Sequence, residues 1–166
     1  LRERLPDARY MVELGDGKRL YTEHLDDWTL DGGRQVGFEE LVAEPVSRVV
    51  VVSPGHDEDD FHRLVADAGL NEVSYAIGWT AWLDIAPDGV NKATALERVR
   101  DILGIDRRNV IAIGDGRNDI EMLTWAGEHG RGVGMGQAPE DVLGVVSETT
   151  GSLAEDGVAQ ALEAVR

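Results

Sequence analysis

The sequence predicts an α/β protein with two parts: an α+β segment over residues 1–86 and a parallel-sheet segment over residues 87–166. Three observations carry this. Before Pro87, short alternating runs stand next to one another, as antiparallel strands do. After it, apolar runs alternate with helical patterns, the order that builds a parallel sheet. Within the second part, the run Val110 to Leu123, "VIAIGDGRNDIEML", passes from buried-strand character through Gly-Asp-Gly into a helix.

Arg9 to Leu14 and Arg19 to Glu23 are alternating runs flanking "GDGK", which reads as a hairpin turn. Residues 24–37 are polar and glycine-bearing and read as loop, and "FEELVAE" is a short helix closed by Pro45. "SRVVVVSP" reads as a buried strand. From Asp57 to Gly69, Phe61, Leu64, Val65 and Ala68 share one helical face, and Gly69 is placed to end the helix. "EVSYAIGW" and "AWLDIAP" read as paired strands. Lys92 to Leu103 is a helix with Ala95, Leu96, Val99, Ile102 and Leu103 expected inward and Gly104 as its stop. "NVIAIGD" is a strand, "DIEMLTWAG" a helix and "GRGVGMG" a strand. "APEDVLGVV" is a helix with Pro near its first turn, and "EDGVAQALEAVR" is the last helix.

The chain has 166 residues, 42% hydrophobic and 29% charged, a profile of globular rather than disordered protein. No apolar run approaches the ~20 residues that cross a membrane, and no secretory leader is apparent. Sixteen basic residues against thirty-two acidic ones give a net charge of −16, a field that repels nucleic acid. The same field is awkward for a phosphate, so a phosphate site would need a cation, a metal or backbone amides. Cysteine is absent, which excludes disulfides and thiolate metal sites and fits a cytoplasmic protein.

In open parallel sheets, ligands bind beyond the carboxyl ends of the strands. Asp115 stands there, just after Gly114, and a carboxylate so placed suits a hard cation such as Mg²⁺. Asn118 and Asp119 open the next helix and can cap it while facing the same mouth. Alone, these residues would amount to a turn and a cap. Lys92 lies 23 residues earlier, in a helical first turn where the dipole disfavours a cation. A phosphate with a carboxylate beside it would explain that placement, although a solvated lysine on an exposed turn is the commoner fate of the residue.

The two constellations in this order, "GVNKATALERVRDILGIDRRNVIAIGDGRNDIEMLTWAG", resemble the C-terminal half of the haloacid dehalogenase (HAD) superfamily, and more closely its Cof-like phosphatases. "GVGMGQAPEDV" and "EDGVAQAL" are similar to later stretches of that family, with Gln137 where the family usually has Asn. The resemblance implies half of a Rossmann-like parallel core over residues 87–166 and an α/β cap over 1–86. It implies that Lys92 steadies the phosphoryl group, that Asp115 and Asp119 serve a Mg²⁺ ion, and that Asn118 touches phosphate. It further implies hydrolysis of a small phosphorylated metabolite through an aspartyl-phosphate. In that family the cap sets specificity, which makes Trp79, Trp82 and His24 candidate pocket residues, although aromatic residues in strands more often pack.

The family's nucleophile sits in an Asp-x-Asp motif after the first core strand, and no credible copy is present. Glu13 and Asp16 have the wrong spacing. Asp57 and Asp59 have the right spacing but open a helix beyond the valine run. Ser53 after that run is a candidate for the family's Ser/Thr element, with a cap strand as the better reading. The expectation is therefore a C-terminal portion of a longer enzyme, inactive alone, whose incomplete sheet would be covered by a homodimer or by the missing N-terminal segment. The alternative is a noncatalytic binding or regulatory module on the same fold. A dinucleotide-binding reading is set aside, because "GVGMG" has no acidic ribose partner at a suitable distance.

Overall fold

Gly-Asp-Gly at residues 15–17 turns β1 (Arg9–Leu14) back into β2 (Arg19–Tyr21), with Met11 opposite Tyr21. Gly17 has φ +83°, a conformation open to glycine and strained for a residue with a Cβ. The structure, a computed structural model, describes residues 1–24, 32–70, 73–77 and 81–165. It divides into two compact units, Leu1–Gly89 and Val90–Arg166.

In the first unit, a six-stranded sheet runs in the order β3-β2-β1-β4-β6-β5. The valine run forms β4 (Val46–Val52), antiparallel to β1 on one side and to β6 (Trp82–Pro87) on the other. β5 (Val73–Ile77) pairs antiparallel with β6, as the alternating runs predict. Residues 24–37 were expected to be loop; residues 25–31 lie outside the described residues, but β3 (Arg34–Gln35) adds a short parallel strand beside β2. A two-residue polar strand has no apolar alternation by which to announce itself.

The period-two alternation of the strands sends Tyr10, Val12, Val51 and Leu83 to one face, where they pack with Leu41 of α1 (Phe38–Leu41) and with Phe61 and Val65 of α2 (Glu58–Asp67). Asp57 caps α2, its Oδ1 accepting from the Asp60 N–H at 2.9 Å, and Gly69 lies beyond the helix at φ +64°.

The second unit carries a parallel sheet of β7 (Ile111–Gly114), β8 (Arg131–Gly134) and β9 (Glu148–Thr149), in that order. α3 (Lys92–Leu103) precedes β7, α4 (Ile120–Gly127) links β7 to β8, and α6 (Gly157–Glu163) closes the unit. The proline-led helix is shorter than its pattern suggests: α5 covers only Glu140–Leu143, and the chain then enters β9.

The main departure is α3. It packs against α4, but Val99, Ile102 and Leu103, expected inward, are 49%, 71% and 63% exposed. Ala95 is exposed as well, and Leu96 is partly so. Helical periodicity says which residues share a face and not what lies opposite. β7 has a neighbour on one side only among the described residues, so the sheet does not extend to meet this stripe. No helix of the described residues is long and apolar enough to cross a membrane.

Candidate active site

The site is built where β7 runs out. Gly114 ends the strand, Asp115 and Gly116 follow, and a 3-10 turn over Arg117–Asp119 leads into α4. This turn folds Asp119 back against the strand end. Its Oδ2 accepts from the N–H groups of Asp115 and Gly116, each at 3.1 Å. Asp119 therefore closes the loop behind it and makes no side-chain cap to α4, contrary to the capping expected from sequence. A Cβ at position 114 would stand 2.7 Å from the Asp119 side chain, so only glycine admits this buried carboxylate.

Lys92 is the first residue of α3, which Asn91 caps by accepting from the Thr94 N–H at 2.9 Å while Thr94 Oγ1 accepts from the Asn91 N–H. The Lys92 ammonium donates to Asp119 Oδ1. A cation in a helical first turn thus has its partner in a carboxylate that the loop amides also hold. Both oxygens of Asp119 are engaged by the chain itself.

Asp115 is placed differently. Its Oδ2 accepts from Gln137 Nε2 at 2.8 Å, and its Oδ1 has no hydrogen-bond partner among the described residues. Asn118 is exposed within the 3-10 turn, where its Oδ1 would lie 2.6 Å from a Cβ at Gly116. Beside it, Arg117 Nε donates to Asp141 Oδ2 of α5 at 2.6 Å and holds the Asp141 carboxyl below its ordinary range.

Lys92, Asp115, Asn118 and Asp119, the four residues singled out by sequence, all lie in the second unit. Lys92 meets Asp119 directly, and Asp115 meets it through its own N–H. Gln137 and the Arg117–Asp141 pair were not foreseen as parts of the arrangement. Gln137 stood out only as a departure from the family pattern, and no spacing rule links it to Asp115.

The other candidates lie in the first unit. Ser53 is buried at the end of β4, with Oγ 2.7 Å from His56 Nδ1, on a strand flanked by antiparallel partners. Glu13 pairs with Arg19 and Asp16 with Lys18. Asp57 caps α2, and the Asp59 side chain lies outside what the structure describes. Trp79 also lies outside the described residues. The Trp82 indole N–H is buried without a partner among them, and His24 meets the Tyr21 ring edge-on.

One outward carboxylate oxygen suits a hard cation, and Mg²⁺ retains several waters and asks little of the protein. Among the described residues no cluster of three or more His, Cys, Asp or Glu side chains could hold a metal by itself. The donor chemistry fits a Mg²⁺ ion that Asp115 would ligate directly with Asp119 behind it, the remaining ligands having to come from elsewhere.

An α/β protein with a carboxylate-bearing loop at the carboxyl end of a parallel strand, and a lysine from the preceding helix, is the class that fold and site define. The chain belongs to the haloacid dehalogenase-like hydrolase family, whose profile matches residues 19–162. It is 32% identical over 128 residues to a 5-amino-6-(5-phospho-D-ribitylamino)uracil phosphatase of Bacillus subtilis (strain 168), covering 76% of this chain and 46% of that protein. It is also 32% identical over 123 residues to a phosphoglycolate phosphatase of Natronomonas pharaonis, covering 74% and 46% respectively. Its fold matches a solved haloacid dehalogenase-like hydrolase from Bacteroides thetaiotaomicron with a TM-score of 0.70 at 24% identity, over 99% of this chain and 63% of that one. The chain spans about half the length of these curated relatives.

Proposed function

We propose that these residues form the lysine- and metal-bearing part of a cytoplasmic, Mg²⁺-dependent phosphatase that hydrolyses small phosphorylated metabolites through an aspartyl-phosphate. The first unit serves as its cap. The observation that carries the reading is the Lys92–Asp119–loop amide cluster, with Asp115 Oδ1 left open beside it. Two relatives at equal identity bear the names of phosphatases for different small phosphate esters, which supports the reaction class and leaves the substrate open.

In this reading, Lys92 holds its positive charge beside the transferring phosphoryl group, and Asp119 fixes the ammonium there. Asn118 offers a neutral amide to a phosphate oxygen. A bound Mg²⁺ supplies charge neutralisation at the phosphoryl oxygens. The attacking carboxylate is not among these 166 residues; a segment bearing it would add as a strand to the open edge of β7 and cover the exposed apolar stripe of α3.

The test is a titration of the 166-residue chain with Mg²⁺ and inorganic phosphate, followed by ³¹P line width, together with a turnover assay on p-nitrophenyl phosphate. Phosphate should broaden only when Mg²⁺ is present, and Lys92→Ala should abolish the effect. Turnover should be absent. Metal-dependent turnover by this chain would overturn the placement of the nucleophile, and broadening that ignores both Mg²⁺ and Lys92 would overturn the site.

A further inference from the structure

Asp115 and Asp119 present the same functional group under opposite conditions. Asp119 is buried, and its charge is balanced by the Lys92 ammonium and by two backbone N–H groups. Asp115 has one neutral neighbour, the Gln137 side-chain amide, at the solvent-facing rim. An unrestrained aspartate can turn about its last bond and exchange its two oxygens. A donor fixed on one of them removes that symmetry and leaves the other as the only open acceptor.

Gln137 is itself held from behind. Its Oε1 accepts from the Leu153 N–H at 3.0 Å, and Met135 Sδ lies 3.7 Å from its Nε2. Leu153 opens a 3-10 turn that Glu155 locks by accepting from Ser152 N and Oγ at 2.9 and 2.7 Å. The orientation of the amide follows from its partners: a carboxylate requires the NH₂ side and a backbone N–H requires the oxygen side. Both demands give the same orientation. One amide thus ties the end of β7 to the turn before α6.

We propose that Gln137 is a positioning residue for the metal: it clamps Asp115 Oδ2 so that Oδ1 faces the cation. The inference rests on the reading of Asp115 as a Mg²⁺ ligand. It accounts for an amide at this position. A lysine or arginine would also fix the carboxylate but would cancel the charge that attracts the cation, whereas a neutral donor leaves that charge in place. The same Gln137 side chain spans from Asp115 to the Leu153 N–H.

Two measurements on the 166-residue chain test it. In the metal-free protein, the Gln137 side-chain NH₂ resonances should shift in Asp115→Asn, and the Leu153 amide should lose exchange protection in Gln137→Leu. In a calorimetric titration with Mg²⁺, Gln137→Leu should bind about ten- to a hundredfold more weakly, the loss expected when the partner of a metal ligand is removed. Gln137→Asn should fall between it and the parent, and Asp115→Asn should show no saturable binding. The thermal midpoint of Gln137→Leu in EDTA should stay within a few degrees of the parent, which separates positioning from a merely structural role.

Equal Mg²⁺ affinity in Gln137→Leu and the parent, with Asp115→Asn still deficient, would overturn the role of Gln137 and leave Asp115 as a ligand. Indistinguishable binding by Asp115→Asn and the parent would overturn the metal assignment and the inference with it. NH₂ resonances unmoved by Asp115→Asn would remove the hydrogen bond on which the proposal stands.

Discussion

Replacing Asp119 by alanine removes the acceptor for two loop N–H groups and the counter-charge of Lys92 at once. Gly116 is buried, so its N–H has no water to turn to, and a lost hydrogen bond to a charged group costs about 1.5–3 kcal/mol. The Asp115 N–H lies nearer solvent and recovers part of its bond. The Lys92 side chain is 47% exposed, so its ion pair adds no more than ~1 kcal/mol. The sum is about 3 kcal/mol, a large share of the ~4–11 kcal/mol expected for a unit of this size. Asp119→Asn keeps an oxygen for the two N–H groups but turns an amide NH₂ toward the ammonium. It should cost about 1.5 kcal/mol, because neutral hydrogen bonds contribute roughly half as much as charged ones.

The assay is urea unfolding followed at the Trp125 indole N–H, which lies in the second unit and donates to Glu97 Oε2 at 2.8 Å. In a thermal scan the alanine variant should lose roughly 12 °C or more, at ~4 °C or more per kcal/mol for a domain of this size. A loss under ~1 kcal/mol in Asp119→Ala, or equal losses in the two variants, would refute the view that this carboxylate organises the loop.

Stability of the second unit should fall as pH drops. Glu97, held down by Arg100 and Trp125, Glu148, by Arg131, and Asp141, by Arg117, all have pKa values below their ordinary range. Their folded values lie below their unfolded ones, so their contribution is complete above about pH 5 and is lost as pH falls through about 4 and below. A urea midpoint that does not change between about pH 6 and pH 3.5 would contradict this. Gly132→Ala would drive a Cβ to 2.1 Å from the Leu123 carbonyl oxygen, and should cost about 3 kcal/mol by urea titration. Gly104→Ala, at φ +66° but in open space, should cost only ~1 kcal/mol, so equal losses would count against the close approach of β8 to α4.

The strongest periodic and turn signals were legible in the sequence: the hairpin at residues 15–17, the valine strand, α2 with Gly69 beyond its end, and the β7–loop–α4 unit. Each rests on local chemistry. β3 and β9 were not legible, because two-residue strands are defined by their neighbours. The exposure of Val99, Ile102 and Leu103 could not be read either, since a helical stripe says nothing of what stands opposite it. At the site, residue types and spacing picked out Lys92, Asp115, Asn118 and Asp119. They could not tell which carboxylate points inward. That distinction depends on the backward fold of the 3-10 turn, and on a glutamine 22 residues after Asp115.

A chain with net charge −16 has a poor starting point for binding phosphate, and the proposed site would have to offset that field locally. Asp119 spends its charge inside the protein, on Lys92 and two amides, so little of its field reaches the mouth. Asp115, held by a neutral amide, would keep nearly its whole charge available to a cation. On the proposed reading, a Mg²⁺ held there would set two positive charges against the one of Asp115 and leave the mouth locally cationic within a chain of net charge −16. On that reading attraction of the cation would come before attraction of the phosphate, and raising ionic strength should weaken Mg²⁺ binding through loss of the long-range acidic field.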